Sequence, residues 1–144
     1  MPTVSRTFHV HPAPDVVIDY LKDFSHAEEW DPGTESCTRE GAGPIEVGTT
    51  FHNVSKIAGI ETELTYELTK LTGGSVEFKG ENDSATTVDT ITVVASGAGS
   101  EVTYEAVIEA KGAGKIAEPI MKLLFERIGT KTEEQMTEVL NGLV

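Results

Sequence analysis

The chain has 144 residues, and its 24 acidic residues outnumber the 11 basic ones to give a formal net charge of −13. We expect a single domain over residues 1–144, because a chain of this length supports one hydrophobic core and little more. So acidic a chain repels phosphate backbones and anionic lipid surfaces, and no apolar run approaches the ~20 residues of a membrane span. The sequence therefore predicts neither a nucleic-acid partner nor insertion into a membrane.

The number of cysteines indicates the cellular compartment in which the protein occurs. Cys37 is the only cysteine, which excludes an internal disulfide and fits a reducing environment. We therefore expect a cytoplasmic protein, either a monomer or a weak dimer. No sequence neighbour of Cys37 clearly activates the thiol, so a buried and inert side chain is the favoured interpretation.

The N-terminal part of the chain predicts one strand and two short helices. Alternating β-formers indicate the strand over Thr3–Val10. Pro14 suits the first turn of a helix, because the missing N–H of proline costs nothing there. Ser25 and Glu28 match a capping box, which predicts a second, shorter helix that ends at Trp30. Apolar residues at helical spacing form one face of the first helix: Val16, Val17, Tyr20, Leu21 and Phe24.

Strands and turns are predicted throughout Thr34–Ala110. The clearest strand is Ile60–Leu68, in which apolar and charged residues alternate as in a half-buried antiparallel strand. Gly80–Ser84 and Ser96–Ser100 are predicted turns. Between them, Thr86–Ala95 is a run rich in β-branched residues. The sequence does not show which of its alternating side chains face the core. Short glycine-containing turns between successive strands predict an antiparallel meander.

A long helix is predicted at the C-terminus, from about Pro119 to Asn141. Gly129 and Thr130 interrupt its apolar stripe and predict a bend there. The segment Ile120–Phe125 is apolar on more than one side, so it needs a second neighbour, a ligand or a partner chain. Packing against the two short helices is the simplest of these explanations.

The order of these elements is that of the helix-grip fold, and short stretches along nearly the whole chain agree with it. With these stretches the sequence resembles the START-related superfamily (SRPBCC), and within it the polyketide cyclase/dehydrase-like branch. The resemblance implies an α+β fold in which a curved antiparallel sheet of about seven strands wraps around the C-terminal helix. The stretches are Val10–Val17, Leu21–Phe24, Trp30–Gly33, Val47–Phe51, Tyr66–Leu68, Glu101–Tyr104 and Lys111–Gly112.

The resemblance also implies a cavity for a hydrophobic molecule between the sheet and the long helix. Members of the superfamily include lipid carriers, hormone receptors, aromatic polyketide cyclases and proteins that act through other proteins, so the use of the cavity stays open. Binding of a hydrophobic or amphipathic small molecule is the preferred function. The alternatives are a cyclase or dehydratase of a polyketide-like substrate and a protein-interaction module that uses Ile120–Phe125.

Aromatic and aliphatic residues with inward parity are the predicted cavity lining. Tyr66 and Tyr104 are the strongest of these, because each shares parity with aliphatic neighbours and brings a hydroxyl that needs a partner. Trp30 is either an end wall of the cavity or plain core, and core is favoured. The full predicted set is Trp30, Phe51, Leu64, Tyr66, Phe78, Tyr104, Ile120 and Leu124.

Besides the two tyrosines, three residues stand out as catalytic candidates. Asp89 lies in the β-branched run and becomes either a functional carboxylate or an ion-pair partner if it points inward. His52 is a possible acid or base, although a surface position is the more common fate of such a histidine. Arg39 could pair with a ligand carboxylate or enolate, but it precedes a glycine turn and is more typical of a solvated strand end.

A metal or cofactor site is not predicted. His9 and His11 lie two residues apart on one strand face, which could begin a metal site, but no third ligand follows at a suitable spacing. No glycine-rich phosphate loop or nucleophile elbow is present in the sequence.

Overall fold

The computed structural model describes residues 3–57, 59–111 and 118–143, and it describes the side chains of these residues except at 57 and 118–125. Seven strands form one antiparallel sheet in the order β1-β7-β6-β5-β4-β3-β2. The first strand thus joins the far end of the meander beside the last one. The strands are β1 Thr3–Val10, β2 Thr34–Glu40, β3 Thr50–Ile57, β4 Ile60–Thr72, β5 Ser75–Glu81, β6 Ala85–Ser96 and β7 Gly99–Ala110.

Helices cover one face of this sheet. The first, α1, spans Pro14–Leu21 and is followed by a 3₁₀ turn at Phe24–His26 and the short helix α2 at Ala27–Trp30. The C-terminal helix α3 spans Glu118–Asn141. The predicted α+β fold is confirmed, with two short helices after the first strand and a long helix at the end.

Alternation along the strands defines the inner face of the sheet, which is the face that carries the buried side chains of Phe51, Tyr66, Phe78, Asp89 and Tyr104. Phe51 lies directly opposite Tyr66, and Phe78 directly opposite Asp89. Phe24, from the 3₁₀ turn, contacts three of the aromatic rings of this face. The centre of the core is therefore aromatic.

The second half of α3 packs tightly on β1. A Cβ atom at Gly129 would lie 2.4 Å from Val4 Cγ2, so only glycine permits this approach. Arg6 also connects β1 to α3 by hydrogen bonds, because its Nη2 donates to the backbone oxygen and to Oε2 of Glu126 at 2.9 and 2.8 Å. The buried stripe that follows is Thr132, Met136 and Leu140. Gly129 thus marks a close contact within an unbroken helix, and the helix spans Gly129 and Thr130 without interruption.

Three details of the N-terminal helices differ from the prediction. Ile18 is buried and Val16 is exposed, so the apolar face of α1 is shifted by one residue. The capping box does not form, because Asp23 accepts the backbone N–H of Ser25 at 3.0 Å. The Glu28 carboxylate instead accepts the backbone N–H of Cys37 on β2 at 2.8 Å.

Two predicted turns are shorter than expected. β5 continues to Glu81 and β7 begins at Gly99, so that Gly80 and Gly99 both lie within strands. A Cβ atom at Gly99 would lie 2.2 Å from the backbone oxygen of Val10. The glycine at this position permits the close approach of β7 to the end of β1, and turn formation is not its role.

Candidate functional site

A buried carboxyl group lies on the inner face near the middle of the sheet. Asp89 of β6 is 5% exposed, and alternation along β6 puts it on the same side as Thr87 and Ile91. The Thr87 hydroxyl donates to Asp89 Oδ1 at 3.0 Å, and the Tyr104 hydroxyl of β7 also hydrogen-bonds the carboxylate. The orientation of Asp89, which the sequence left open, is therefore inward.

The surroundings of Asp89 hold its proton near neutral pH. Burial is the main cause and the negative charge of Asp31 the second, and together they raise the Asp89 pKa to about 7 against the opposing hydrogen bonds from Thr87 and Tyr104. Burial and the nearby acids also raise the pKa of Tyr104 well above its ordinary value. At neutral pH the site thus contains a carboxyl group that both gains and loses its proton and a phenol that stays protonated.

A second tyrosine, Tyr66 of β4, completes the polar part of the inner face. Its ring crosses β5 at Gly80, where a Cβ atom would lie 2.6 Å from Tyr66 Cε1 and 2.8 Å from Thr87 Cγ2. The absent side chain lets the Tyr66 hydroxyl hydrogen-bond with Thr87. Burial, followed by the charges of Asp89 and Asp31, raises the pKa of Tyr66 well above its ordinary value. Thr87 thus links Tyr66 to Asp89.

Asp31 reaches this cluster from the helical side. Its Oδ1 accepts the backbone N–H of Gly33 at 3.0 Å, and its Oδ2 accepts the Thr34 hydroxyl at 2.8 Å. Burial raises the pKa of Asp31 in spite of these two hydrogen bonds. The tight Asp-Pro-Gly-Thr turn after α2 fixes the carboxylate in place. The electrostatic effect of Asp31 on Asp89, Tyr66 and Tyr104 follows from this position.

Trp30 precedes Asp31 and is fully buried. Its ring meets the Tyr104 ring edge to face at a centroid distance of 6.0 Å and contacts the Phe24 ring at 5.9 Å. The indole Nε1 is buried and has no hydrogen-bond partner within the described part of the chain. A buried donor without an acceptor costs about 1–3 kcal/mol, so a hydrogen-bond acceptor at this atom would be stabilising.

The inner face also has a polar end on β2 and β3. Ser55 Oγ donates to Asn53 Oδ1 at 2.5 Å, and Asn53 Nδ2 donates to the Thr34 hydroxyl at 3.1 Å. Cys37 lies directly opposite Asn53 and is buried, as predicted. Burial raises the pKa of the Cys37 thiol to about 12, so the thiol stays protonated and unreactive.

Comparison with known proteins places the chain in a family. A family model described as "Polyketide cyclase / dehydrase and lipid transport" matches residues 1–141. The chain belongs to this family. No curated protein matches the chain in sequence. The predicted resemblance and the predicted class of function, a hydrophobic-ligand-binding protein of the START-related type, are confirmed by this membership and the shared fold.

Solved structures of several other proteins share the fold across almost the whole chain. A START superfamily protein from Mycobacterium smegmatis has a TM-score of 0.81 at 14% identity, with 99% of both chains covered. A STAR-related lipid transfer protein from Xanthomonas axonopodis has a TM-score of 0.76 at 16% identity, covering 96% of this chain and 85% of that one. The Zhui aromatase/cyclase from a Streptomyces species has a TM-score of 0.69 at 16% identity, covering 97% of this chain and 91% of that one.

In this member of the polyketide cyclase/dehydrase and lipid transport family, the residues predicted to line a cavity fall into two groups. Tyr66 and Tyr104 lie together in the Asp89 cluster. Trp30, Phe51 and Phe78 surround Phe24 and are fully buried. Leu64 is half-buried against the core. The predictions for Ile120 and Leu124, like the interaction surface at Ile120–Phe125, concern side chains outside the described residues.

The other two catalytic candidates lie apart from Asp89. His52 points to the outer face, where its Nε2 lies 2.9 Å from Oε1 of the exposed Glu63. The Arg39 guanidinium is engaged by the β2–β3 loop, donating to the backbone oxygens of Gly43 and Pro44 at 2.5 and 3.1 Å. Of the three candidates, only Asp89 lies beside the buried tyrosines.

Several site residues were not predicted from the sequence. Thr87 shares parity with Asp89, and Asn53 and Ser55 share parity with Phe51, so strand alternation held a signal for all three. That signal was obscured because Val54 and Val88, on the outer face, are apolar as well. The sequence around Asp31, Asp-Pro-Gly, predicted a turn but gave no indication that its side chain belongs to the site.

The described residues contain no group of three metal-ligating side chains. His9 and His11 are both exposed, and His9 Nε2 lies 3.2 Å from the backbone oxygen of Ser96. Within the described ranges, no helix is long and apolar enough to cross a membrane.

Proposed function

We propose that this protein binds one hydrophobic or amphipathic small molecule between the inner face of the sheet and α3, with the polar end of the molecule at Asp89 and Tyr104. The observation that carries the proposal is a buried hydrogen-bonded cluster beside the aromatic centre of the inner face. Binding sites for small molecules combine an apolar lining with a few polar groups that fix orientation. The family description, which includes lipid transport, supports the same function.

The residues proposed to contact the ligand are those with access to the polar cluster. Tyr66 and Tyr104 are proposed to orient it through their hydroxyl groups, and the half-buried Leu64 to contact its apolar body. Ile120 and Leu124 are proposed to cover it from the helix. Phe51, Phe78 and Trp30 are proposed to form the wall at the aromatic end, where they already pack on Phe24.

Binding can be measured through the tryptophan. Trp30 is the only tryptophan, so energy transfer from it to retinol, a neutral lipophilic probe, reports a bound molecule. We expect saturable transfer in the wild type and its loss in Ala106→Phe, which fills the inner face beside Asp89. Val94→Phe, at an exposed site on β6, is the matched control. A folded wild-type protein without saturable transfer would contradict the proposal.

A catalytic function, cyclisation or dehydration of a polyketide-like substrate, is the second candidate. It is favoured by one observation, the pairing of an Asp89 carboxyl whose pKa burial raises to about 7 with the Tyr104 hydroxyl. A group with a pKa near the working pH can both accept and donate a proton, and a neutral phenol can stabilise an enolate oxygen. The solved Zhui aromatase/cyclase has the same fold.

The two candidates differ in their dependence on Asp89. If the protein is a cyclase, a poly-β-keto thioester is converted faster by the wild type than by Asp89→Asn, and the Asp83→Asn control retains the full rate. If the protein only binds, all three proteins convert the thioester at the rate of buffer. Product appearance followed by chromatography separates these outcomes.

The acidic surface and the lone cysteine support the rest of the proposal, which is a cytoplasmic monomer or weak dimer without a nucleic-acid partner. The outer face of the sheet is lined by exposed carboxylates, which repel phosphate. They are Glu61, Glu63, Glu67, Glu101, Glu105 and Glu109.

A further inference from the structure

Among the described residues, the polar cluster of the inner face combines two acidic side chains with no basic one. The charge of Asp31 acts on Asp89, and the charges of both aspartates act on Tyr66 and Tyr104. The hydrogen bonds they accept come from neutral groups, namely the hydroxyls of Thr87, Tyr104 and Thr34 and the backbone N–H of Gly33. Buried carboxylates are normally paired with a cation, because desolvation of an unpaired charge is costly.

The described basic side chains are all accounted for elsewhere. Arg6 is bound to Glu126, Arg39 to the β2–β3 loop, Lys22 to Asp19 and Lys111 to Glu81. The remaining described lysines and arginines are exposed: Lys56, Lys70, Lys79, Arg127 and Lys131. Among these residues, therefore, nothing balances the charge of the cluster.

Aromatic rings surround the same position. Trp30 and Tyr104 meet edge to face, and Tyr66 lies against Phe24 with ring centroids 4.4 Å apart. Aromatic faces attract cations through their quadrupoles, and they bind ammonium groups best when desolvated. Carboxylates together with aromatic rings are the chemistry that recognises an amine.

We propose that the ligand of this site is a hydrophobic amine, whose ammonium group lies at Asp89 and Asp31 among the rings of Trp30 and Tyr104. This inference rests on the proposed function and specifies the polar end of the molecule. A fatty acid would bring a third carboxylate to the cluster, so the same charges exclude it.

The unpartnered indole N–H is an independent sign that a ligand completes this cluster. Trp30 is fully buried, and its Nε1 lacks an acceptor among the described side chains and backbone. An oxygen atom close to the ammonium group, as in an amino alcohol, would accept this hydrogen bond. A plain alkylamine would satisfy the charge alone.

Three probes with the same alkyl chain test the inference: dodecylamine, dodecanol and dodecanoate, each titrated calorimetrically into the intact protein. At about pH 8, where Asp89 is largely ionised, we expect dodecylamine to bind about tenfold more tightly than dodecanol, and dodecanoate to bind most weakly. Asp89→Asn should remove the preference for the amine, so that dodecylamine binds no more tightly than dodecanol in this variant. The exposed Asp83→Asn is the matched control.

The wild type provides a second measurement that needs no variant. An alkylammonium has a pKa close to the ~10.4 of lysine, so the amine stays charged between about pH 5.5 and pH 8 while Asp89 changes its protonation. Dodecylamine affinity should therefore fall as the pH is lowered, and dodecanol affinity should not. The described titratable groups that act on Asp89 are Asp31 and Tyr104, and the raised pKa of Tyr104 keeps its hydroxyl protonated throughout this range.

Failure of this inference and failure of the proposed function are distinguishable. Equal affinities for dodecylamine and dodecanol, or an amine affinity that is independent of pH, would overturn the amine assignment but leave hydrophobic-ligand binding intact. If none of the three probes binds to the folded protein, both the inference and the proposed function are wrong.

Discussion

The Tyr104 hydroxyl hydrogen-bonds the Asp89 carboxylate across the β6–β7 pair, from a position diagonal to it on the inner face. Ala106 lies directly opposite Asp89, and its small side chain leaves the space above Asp89 open to Tyr104. The carboxylate therefore has a fixed donor in the sheet and remaining acceptor capacity toward the interior. Both proposals for the ligand depend on this arrangement.

Asp89→Asn should remove the contribution of Asp89 to the pH dependence of stability. Burial raises the pKa of the native Asp89 carboxyl to about 7, above its ordinary value. The native state thus holds the proton more tightly than the unfolded state, and the wild type loses stability as the pH rises from about 4 to 7. From about pH 5 to pH 8, the free energy of unfolding of Asp89→Asn should rise by about 2–3 kcal/mol relative to that of the wild type.

Urea unfolding at a series of pH values measures this difference, with the exposed Asp83→Asn as the control. The control should follow the wild-type curve. A constant difference between Asp89→Asn and the wild type at all pH values would show that Asp89 is not a buried acid in solution.

Tyr104→Phe should raise the Asp89 pKa further. The Tyr104 hydrogen bond stabilises the charged carboxylate and lowers its pKa, whereas burial and Asp31 raise it. Removal of the hydroxyl leaves the two raising causes less opposed. A carboxyl-carbon NMR titration should show the Asp89 transition moving upward in this variant.

Tyr66→Phe is the matched control, because the Tyr66 hydroxyl hydrogen-bonds Thr87 and makes no direct bond to Asp89. Its effect on the transition should be clearly smaller. If the two variants shift the transition equally, the hydrogen bond between Tyr104 and Asp89 is not formed.

Gly80→Ala should destabilise the protein by about 1–3 kcal/mol, the usual range for overpacking. The new methyl group would lie 2.6 Å from the Tyr66 ring and 2.8 Å from Thr87 Cγ2, and both neighbours are buried. Gly73→Ala is the control, because nothing lies within 4 Å of its Cβ position. Thermal unfolding of the two variants compares them, and equal midpoints would contradict the predicted contact between Tyr66 and β5.

Arg6→Lys should loosen α3 from the sheet. Arg6 Nη2 donates both hydrogen bonds to Glu126 while Nη1 donates to the backbone oxygen of Ser5, and a lysine has only one nitrogen for both positions. Because both side chains are partly exposed, we expect a loss of about 1 kcal/mol. Hydrogen exchange in the middle of α3 should accelerate, and Arg127→Lys, at an exposed position beside Glu126, should have no such effect.

The sequence predicted the fold well because period-two alternation is strong in β4 and β7. Tyr66 and Tyr104 could be placed inside for the same reason, since their neighbours of equal parity are aliphatic and those of opposite parity are polar or charged. In β6 the alternation is hidden, because threonine and valine occupy both faces. Only the register that sets Asp89 opposite Phe78 and Ala106 gives it an inward direction.

The contribution of Asp31 could not be predicted by any periodic pattern. Its effect on Asp89 arises from the docking of α2 on the sheet, a contact between residues far apart in sequence. Likewise, Gly129 suggested a bend, whereas its role is contact with Val4, which depends on how α3 meets β1. Tertiary packing thus determined what local sequence left undecided.

In the proposed complex, a hydrophobic molecule lies against the inner face of the sheet. Isotope-edited NOE spectra of the protein with bound dodecanol test this placement most directly. We predict NOEs from the alkyl chain to the side chains of Leu64, Tyr66 and Tyr104, and none to the exposed Val94 on β6. NOEs confined to exposed residues such as Val94, or none at all, would contradict binding at the inner face.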